Sequence, residues 1–156
     1  MEMALVELRR GQSNKYTWTP FALNANFNDQ WWDRPPYQDP DPWFVQAMLG
    51  DEEVARVELD DNVDFDHYRN TPNLSSRALE IQLIEVSAAH GCLRIGSEVV
   101  RRLVIQHRER TLVAFSEDAD GFWSSLGWDR YDHPEGWPHY RPLFVEAGNA
   151  GRHRRV

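Results

Sequence analysis

Cysteine is almost missing from this chain of 156 residues, where Cys92 stands alone. A disulfide framework and any multi-cysteine zinc or iron–sulfur site are thereby excluded. No apolar run approaches the roughly 18 residues needed to cross a bilayer. The N-terminal MEMALVELRR lacks the basic-then-apolar order of a secretory leader. The expectation is a cytoplasmic protein with no membrane partner. Basic side chains are also short: 17 against 25 acidic ones leave a formal charge of -8. Neutralising a phosphate backbone needs a basic face, so nucleic acid is not an expected partner. The length suits one domain with a real core, here expected over residues 1–147 with a basic tail at 148–156.

The charge that is present is unevenly spread. Asp29 to Asp66 holds twelve carboxylates against Arg34 and Arg56. Between Arg94 and Arg110 the sign reverses, with five arginines against Glu98 and Glu109. A strongly negative stretch followed by a positive one would suit a cationic ligand and a polyanionic one respectively.

Hydrophobic patterning predicts a first strand over residues 3–9 and then an irregular stretch from Gly11 to Pro42. That stretch combines five prolines with Trp18, Phe21, Phe27, Trp31, Trp32 and Tyr37. Proline breaks regular elements, while so many rings are too apolar for a disordered linker. It reads as an ordered segment with a short helix around Phe21–Gln30. Two short runs, Trp43–Leu49 and Val54–Leu59, form a hairpin turning at Gly50–Glu52. Ala78–Val86 is the strongest strand signal, followed by a loop from Val86 to Gly96. Ser97–Arg108 sets Val99, Val100, Leu103 and Val104 on one helix face. Thr111–Phe115 is a buried strand, and Ser116 has the chemistry of a helix cap for a helix that Gly127 ends. Final strands fall at Trp128–Arg130 and Arg141–Glu146. The order predicts a mixed α/β layer in which a helix start after the central strand can receive an anion.

The stretch from Leu79 to Gly127 resembles the core of the GNAT N-acetyltransferase superfamily. In that family a strand runs into a Q/R-x-x-G-x-G/A loop that opens a helix and cradles the pyrophosphate of acetyl-CoA. The loop pattern falls on Gly91, Cys92, Leu93, Arg94, Ile95 and Gly96, with Ser97 following. A later helix reading N-x-x-A-x-x-F-Y-x-x-x-G-F falls on Ser116, Ala119, Phe122, Trp123, Gly127 and Trp128. Gly91 stands where glutamine or arginine is usual, and Arg94 stands where glycine is usual. The resemblance implies an α/β (α+β) fold with a mixed, mostly antiparallel central sheet flanked by helices, acetyl-CoA as co-substrate, and no metal.

It also implies roles. The backbone N–H of Val86 would hold the thioester carbonyl. Glu80 matches the glutamate that acts as base in the histone-type branch. Glu85 has opposite strand parity, so the two carboxylates point to opposite faces. The family's thiolate-protonating tyrosine is replaced by Trp123, leaving Ser116, Ser124, Tyr131 or water as stand-ins. Arg94 either clashes with the pyrophosphate or pairs with a CoA phosphate, with Arg101 and Arg102 beside it. Trp31, Trp32 and Tyr37 would line the acceptor pocket, where ring faces suit ammonium groups and apolar stems. The acceptor is then a cationic amine of a small molecule or a protein. The alternative is a catalytically silent CoA-binding or protein-interaction module. A homodimer through Trp137–Phe144 is compatible with both. Cys92 beside His90 makes no nucleophile–base pair, and His133 and His139 with Asp132 lack metal spacing.

Overall fold

A computed structural model describes residues 2–91 and 93–147, with Leu93 described by its backbone. The basic tail at 148–156 and Cys92 lie outside the described residues. The fold is α+β. Its seven strands follow the order β1-β2-β3-β4-β5-β7-β6 in a mostly antiparallel sheet, β4 and β5 being parallel. The chain divides into two compact units: residues 1–59 with 83–102, and residues 60–82 with 103–156.

The first unit starts from β1 (Met3–Arg9), which pairs antiparallel with β2 (Trp43–Leu49). A turn at Gly50, whose φ of +61° favours glycine, returns the chain as β3 (Glu52–Asp60). The hairpin register shifts between Ala47 and Met48, leaving Val54 as the extra residue of a bulge. The Val54 carbonyl instead accepts the backbone N–H of Ser87 at 2.8 Å, fixing the chain where β4 (Ala78–Val86) ends.

The irregular Gly11–Pro42 segment is ordered by its rings. Phe21, Phe27, Trp32 and Phe44 form a buried cluster with Leu8, Trp18 and Leu83 packed against it. Phe21 meets Trp32 edge-on at 5.1 Å and Phe44 at 5.9 Å, the geometry that ring quadrupoles favour. The short helix of this segment is α1 (Asp29–Trp32), capped by the Asn28 side chain, rather than the Phe21–Gln30 stretch expected. Phe21 and Phe27 point into the core instead of forming a helix face.

Arg56 on β3 holds this arrangement together. It is 1% exposed and lies between two rings, 4.6 Å from the Phe21 centroid and 4.2 Å from that of Phe27. Its guanidinium donates bidentately to Glu53 at 2.9 Å and to the Ala22 carbonyl at 2.8 Å. Gln46 and Asn24 donate to the same carboxylate. Burial alone would raise the Glu53 pKa, but the donors from Arg56, Gln46 and Asn24, with the guanidinium charge, outweigh it and lower the value.

In the second unit, the first half of β4 runs parallel to β5 (Thr111–Phe115), pairing Ala78 with Thr111 and Glu80 with Val113. β7 (Leu143–Val145) pairs antiparallel with β5, and β6 (Asp129–Tyr131) with β7. Leu74, Ala78, Val113, Leu143 and Val145 form the core, with Phe65, Tyr68, Phe115 and Tyr131 packed on it. Arg110 seals one end by donating to the carbonyls of Arg77 and Ala78 and pairing with Asp61.

Two helix boundaries differ from expectation. α2 (Leu93–Gln106) begins four residues before Ser97, so Gly96 lies inside the helix rather than in a loop. α3 (Asp120–Ser125) begins after Ala119, because Ser116 accepts the Ala119 N–H in a separate preceding turn. Gly127, at φ +77°, does end that helix.

Breaking the buried pair by Arg56→Met would leave the Glu53 carboxylate uncompensated and cost about 3–5 kcal/mol. The drop would be read from the urea midpoint at neutral pH. Adding Glu53→Gln to that variant should recover part of the loss, because the stranded charge is then gone; no recovery would mean that packing, not charge, sets the cost.

Candidate active site

The residues singled out by sequence fall in two places, one in each unit. In the first, Val86 closes β4, and buried Ser87 starts a short 3-10 turn over Ala88–His90 by accepting the Ala89 N–H at 3.2 Å. The Asn26 carbonyl accepts the Ala88 N–H at 2.9 Å, so the aromatic segment and the strand end are tied by backbone. Gly91 follows, with φ -60°. A Cβ there would meet only the Ala88 carbonyl at 3.7 Å, an ordinary contact. The local backbone therefore does not require glycine.

Leu93, Arg94, Ile95, Gly96 and Ser97 open α2, whose first turn contains no acidic residue. Its first backbone N–H groups have no intrahelical partner and carry the positive end of the helix dipole. Arg94 is exposed, Ile95 and Ser97 are half-buried, and Gly96 is buried. Cys92 and the Leu93 side chain lie outside what is described. Arg101 and Arg102, expected beside a cofactor phosphate, are committed to Glu98, with contacts at 2.6 and 2.7 Å. Arg102 also donates to the Met3 carbonyl. The two guanidinium groups pull the Glu98 carboxyl down to about 2.

Glu85 belongs to this first unit and is occupied structurally. Its carboxylate accepts the Asn28 N–H at 2.9 Å and the Trp32 indole N–H at 2.7 Å. Trp32 is accordingly a core residue, 3% exposed, and its assignment as a pocket-lining ring is corrected. Trp31 and Tyr37 are exposed, the latter paired with Tyr16 at 5.9 Å.

The second place is a cleft of about 430 Å³ within the second unit. Glu80 and Gln82, two residues apart and so on one face of β4, form part of its wall. Asp64, Phe65, Asp66, His67 and Tyr68 enter from the chain before β4, and Phe115 from the end of β5. His133, His139, Tyr140 and Arg141 complete it. No residue of the Gly11–Pro42 segment lines this cleft. The rings of this cleft are those of Phe65, Tyr68, Phe115 and Tyr140, with the imidazoles of His67, His133 and His139.

Tyr68 assembles the cleft. Its hydroxyl donates to the Arg141 carbonyl at 2.6 Å, and the Arg69 N–H donates to the Asp132 carbonyl at 3.0 Å. Its ring meets Phe115 at 5.5 Å and His133 edge-on at 5.4 Å. Burial pushes the phenol above its ordinary value, with Tyr140 and Asp132 adding to the rise and Arg141 opposing it. Tyr131 lies on β6 and packs on the core beside this cluster. Ser116 is buried with its oxygen accepting from Ala119. Trp123 is buried against Trp128, rings 4.9 Å apart, and so serves as packing.

Sequence reading missed Tyr68, His67, Phe115 and Tyr140, and set His133 and His139 aside as loop residues. The signal was faint: the segments FDHY and HPEGWPHY are both rich in rings, but about sixty residues separate them. The Tyr68–Arg141 and Arg69–Asp132 hydrogen bonds, with the ring contacts of His67 and Tyr68 on His133, bring them to one wall.

No protein-family model matches the chain, and no curated protein matches it. Among solved structures, an acetyltransferase from Thermus thermophilus superposes with a TM-score of 0.51 at 14% identity. That match covers 69% of this chain and 65% of that one, slightly under two thirds of its length. Aminoglycoside acetyltransferase AAC(6')-Ib, solved with coenzyme A, gives 0.50 at 16% identity, covering 72% and 71% in its complex with kanamycin and 72% and 70% without. The chain shares its fold with these acetyltransferases. The degenerate glycine pattern falls between β4 and α2, with Leu93–Gly96 inside the helix rather than in the expected loop. Of the second pattern, Phe122 and Trp123 lie on α3, with Trp123 buried, while Ser116 and Ala119 precede the helix and Gly127 and Trp128 follow it.

Glu98 stabilises the start of α2 through its arginines, and the sign of its pH dependence follows from its lowered pKa. The contribution is full above the ordinary value of 4.5 and is lost as pH falls through about 2. The stability gap between wild type and Glu98→Gln should therefore be constant from pH 7 to about 5 and close on acidification toward 2. Chemical denaturation across that range measures it, and a gap that persists at the lowest pH would contradict the assignment.

Proposed function

We propose that this chain is an acetyl-CoA-dependent N-acetyltransferase acting on a primary amine of a small cationic molecule. The observation that carries the reading is the cleft, which sets Glu80 and two aspartates among aromatic rings in a domain of GNAT fold. Neighbours of this fold have been solved with coenzyme A bound. The residues present fit such a polyanion. The first turn of α2 offers backbone donors without a competing carboxylate, and Arg94 is exposed on it. Leu93–Ser97 would hold the pyrophosphate and Arg94 would pair with a phosphate. When bound, acetyl-CoA supplies an activated acyl thioester.

The chain's own residues do the rest. Asp64 and Asp66 at the cleft draw in an ammonium ion, and the faces of Tyr68, Phe115 and Tyr140 pack its apolar stem. An amine attacks only as the free base, so a group must take its proton. Glu80 is the carboxylate on the central strand within the cleft and has that role in this reading. Glu85 does not, since its oxygens are already accepting from Asn28 and Trp32. Among the described residues no cluster with metal-ligand geometry is found, and the proposed reaction needs no metal.

One observation favours a second reading, a silent CoA-binding module. Trp123 occupies the position where the family's pattern has its tyrosine acid, and it is buried as packing. Turnover separates the two. Acetyl-CoA consumption against an amine panel should be measurable for wild type. Glu80→Gln should lower kcat/KM by about 10²-fold or more while leaving acetyl-CoA affinity unchanged. Binding of acetyl-CoA with no turnover on any amine would establish the silent module, and no binding at all would overturn both readings.

A further inference from the structure

The cleft contains a histidine whose tautomer is set by the backbone. The Glu135 N–H donates to His133 Nδ1 at 3.1 Å. A donor aimed at Nδ1 requires a lone pair there, so the ring proton of the neutral imidazole sits on Nε2. The ring cannot turn away from this arrangement easily. It stacks face to face on Tyr140, centroids 3.5 Å apart and planes 11° from parallel, and Tyr68 meets it edge-on at 5.4 Å. His133 is thus a donor held in place by its stack and its backbone partner, in a wall that also contains Gln82 and Arg141, and its Nδ1 lone pair is taken by Glu135.

We propose that His133 is a specificity-determining residue, whose Nε2–H selects amines that also carry a hydroxyl or carbonyl oxygen. This rests on the acetyl-transfer reading above for the identity of the acceptor, and deepens it from any cationic amine to a small oxygenated one. The division of labour follows from the side chains. Asp64, Asp66 and Glu80 recognise the nitrogen end, because carboxylates only accept hydrogen bonds. An alkyl amine satisfies these groups but leaves the imidazole N–H without an acceptor once water is displaced, which disfavours it. An amino alcohol or amino sugar satisfies both ends. A simple polyamine would be discriminated against.

The test compares propanolamine with butylamine, which match in size and differ in a hydroxyl for a methyl. Calorimetric binding to the full chain reads the preference without needing turnover, and acetyl-CoA-dependent turnover is measured in parallel. Wild type should favour propanolamine by about tenfold, expressed in Kd and KM with kcat little changed. His133→Phe, which keeps the stack on Tyr140, should abolish the preference while retaining butylamine binding. His133→Gln, which restores a donor, should recover much of it. NMR nitrogen shifts should show the neutral ring protonated at Nε2. Equal affinities in wild type, a preference that survives His133→Phe, or an Nδ1–H tautomer would each overturn the inference. A binding preference without turnover would uphold it and overturn the acetyl-transfer reading instead.

Discussion

The first unit depends on one buried cation. Arg56 sits on a strand, yet its partners come from everywhere that the irregular segment must be held: the rings of Phe21 and Phe27, the Ala22 carbonyl, and the Glu53 carboxylate. A segment with several prolines cannot satisfy its backbone by a ladder or a helix. It needs tertiary donors, and a guanidinium supplies five in a rigid fork with two faces for rings. Burying that charge is costly unless it is paired and its hydrogens are used. Glu53 meets the first condition, and Gln46 and Asn24 in turn satisfy the carboxylate. The segment is also tied to the end of β4, because the Asn26 carbonyl receives the Ala88 N–H where β4 turns toward α2.

The same logic separates two glutamates on one strand. Glu80 and Glu85 differ in parity, and their surroundings decide their use. Glu85 meets an indole N–H and a backbone N–H, and it becomes the fastener of α1. Glu80 is half-buried in a cleft wall with Gln82 beside it. Releasing Glu85 from α1 would cost both of its bonds. Hydrogen bonding thus shows what Glu85 does within the fold, which alternation along a strand could not.

The strands were legible because their apolar runs are continuous and their ends carry turn residues: β4 and β5 fall at their expected bounds, and the hairpin turns at Gly50. Helix starts were less so. Gly96 reads as a loop residue, yet it is buried near the start of α2. Local propensity disfavours glycine in a helix by about 1 kcal/mol, and packing overrides that preference here. Trp31 and Trp32 illustrate a further limit. They are adjacent and chemically identical, but the four-residue α1 turns one to solvent and the other into the core. The cleft was hidden for a different reason: its walls are built from separate ring-rich segments joined by backbone hydrogen bonds, and no periodicity encodes such pairing.

The charge asymmetry also changes meaning once partners are known. Several of the carboxylates between Asp29 and Asp66 are engaged internally: Glu53 with Arg56, Asp41 with Arg9, Glu52 against His90, and Asp61 with Arg110. The run is also divided between the units near Leu59. Its members at the cleft are Asp64 and Asp66. The positive stretch is thinned in the same way, since Arg101 and Arg102 belong to Glu98 and Arg110 to Asp61. Arg94 remains exposed at the helix start. A net charge of -8 acts over long distances, where it favours approach of a cation. At short range, the pairings within the fold set how much of that charge each surface presents.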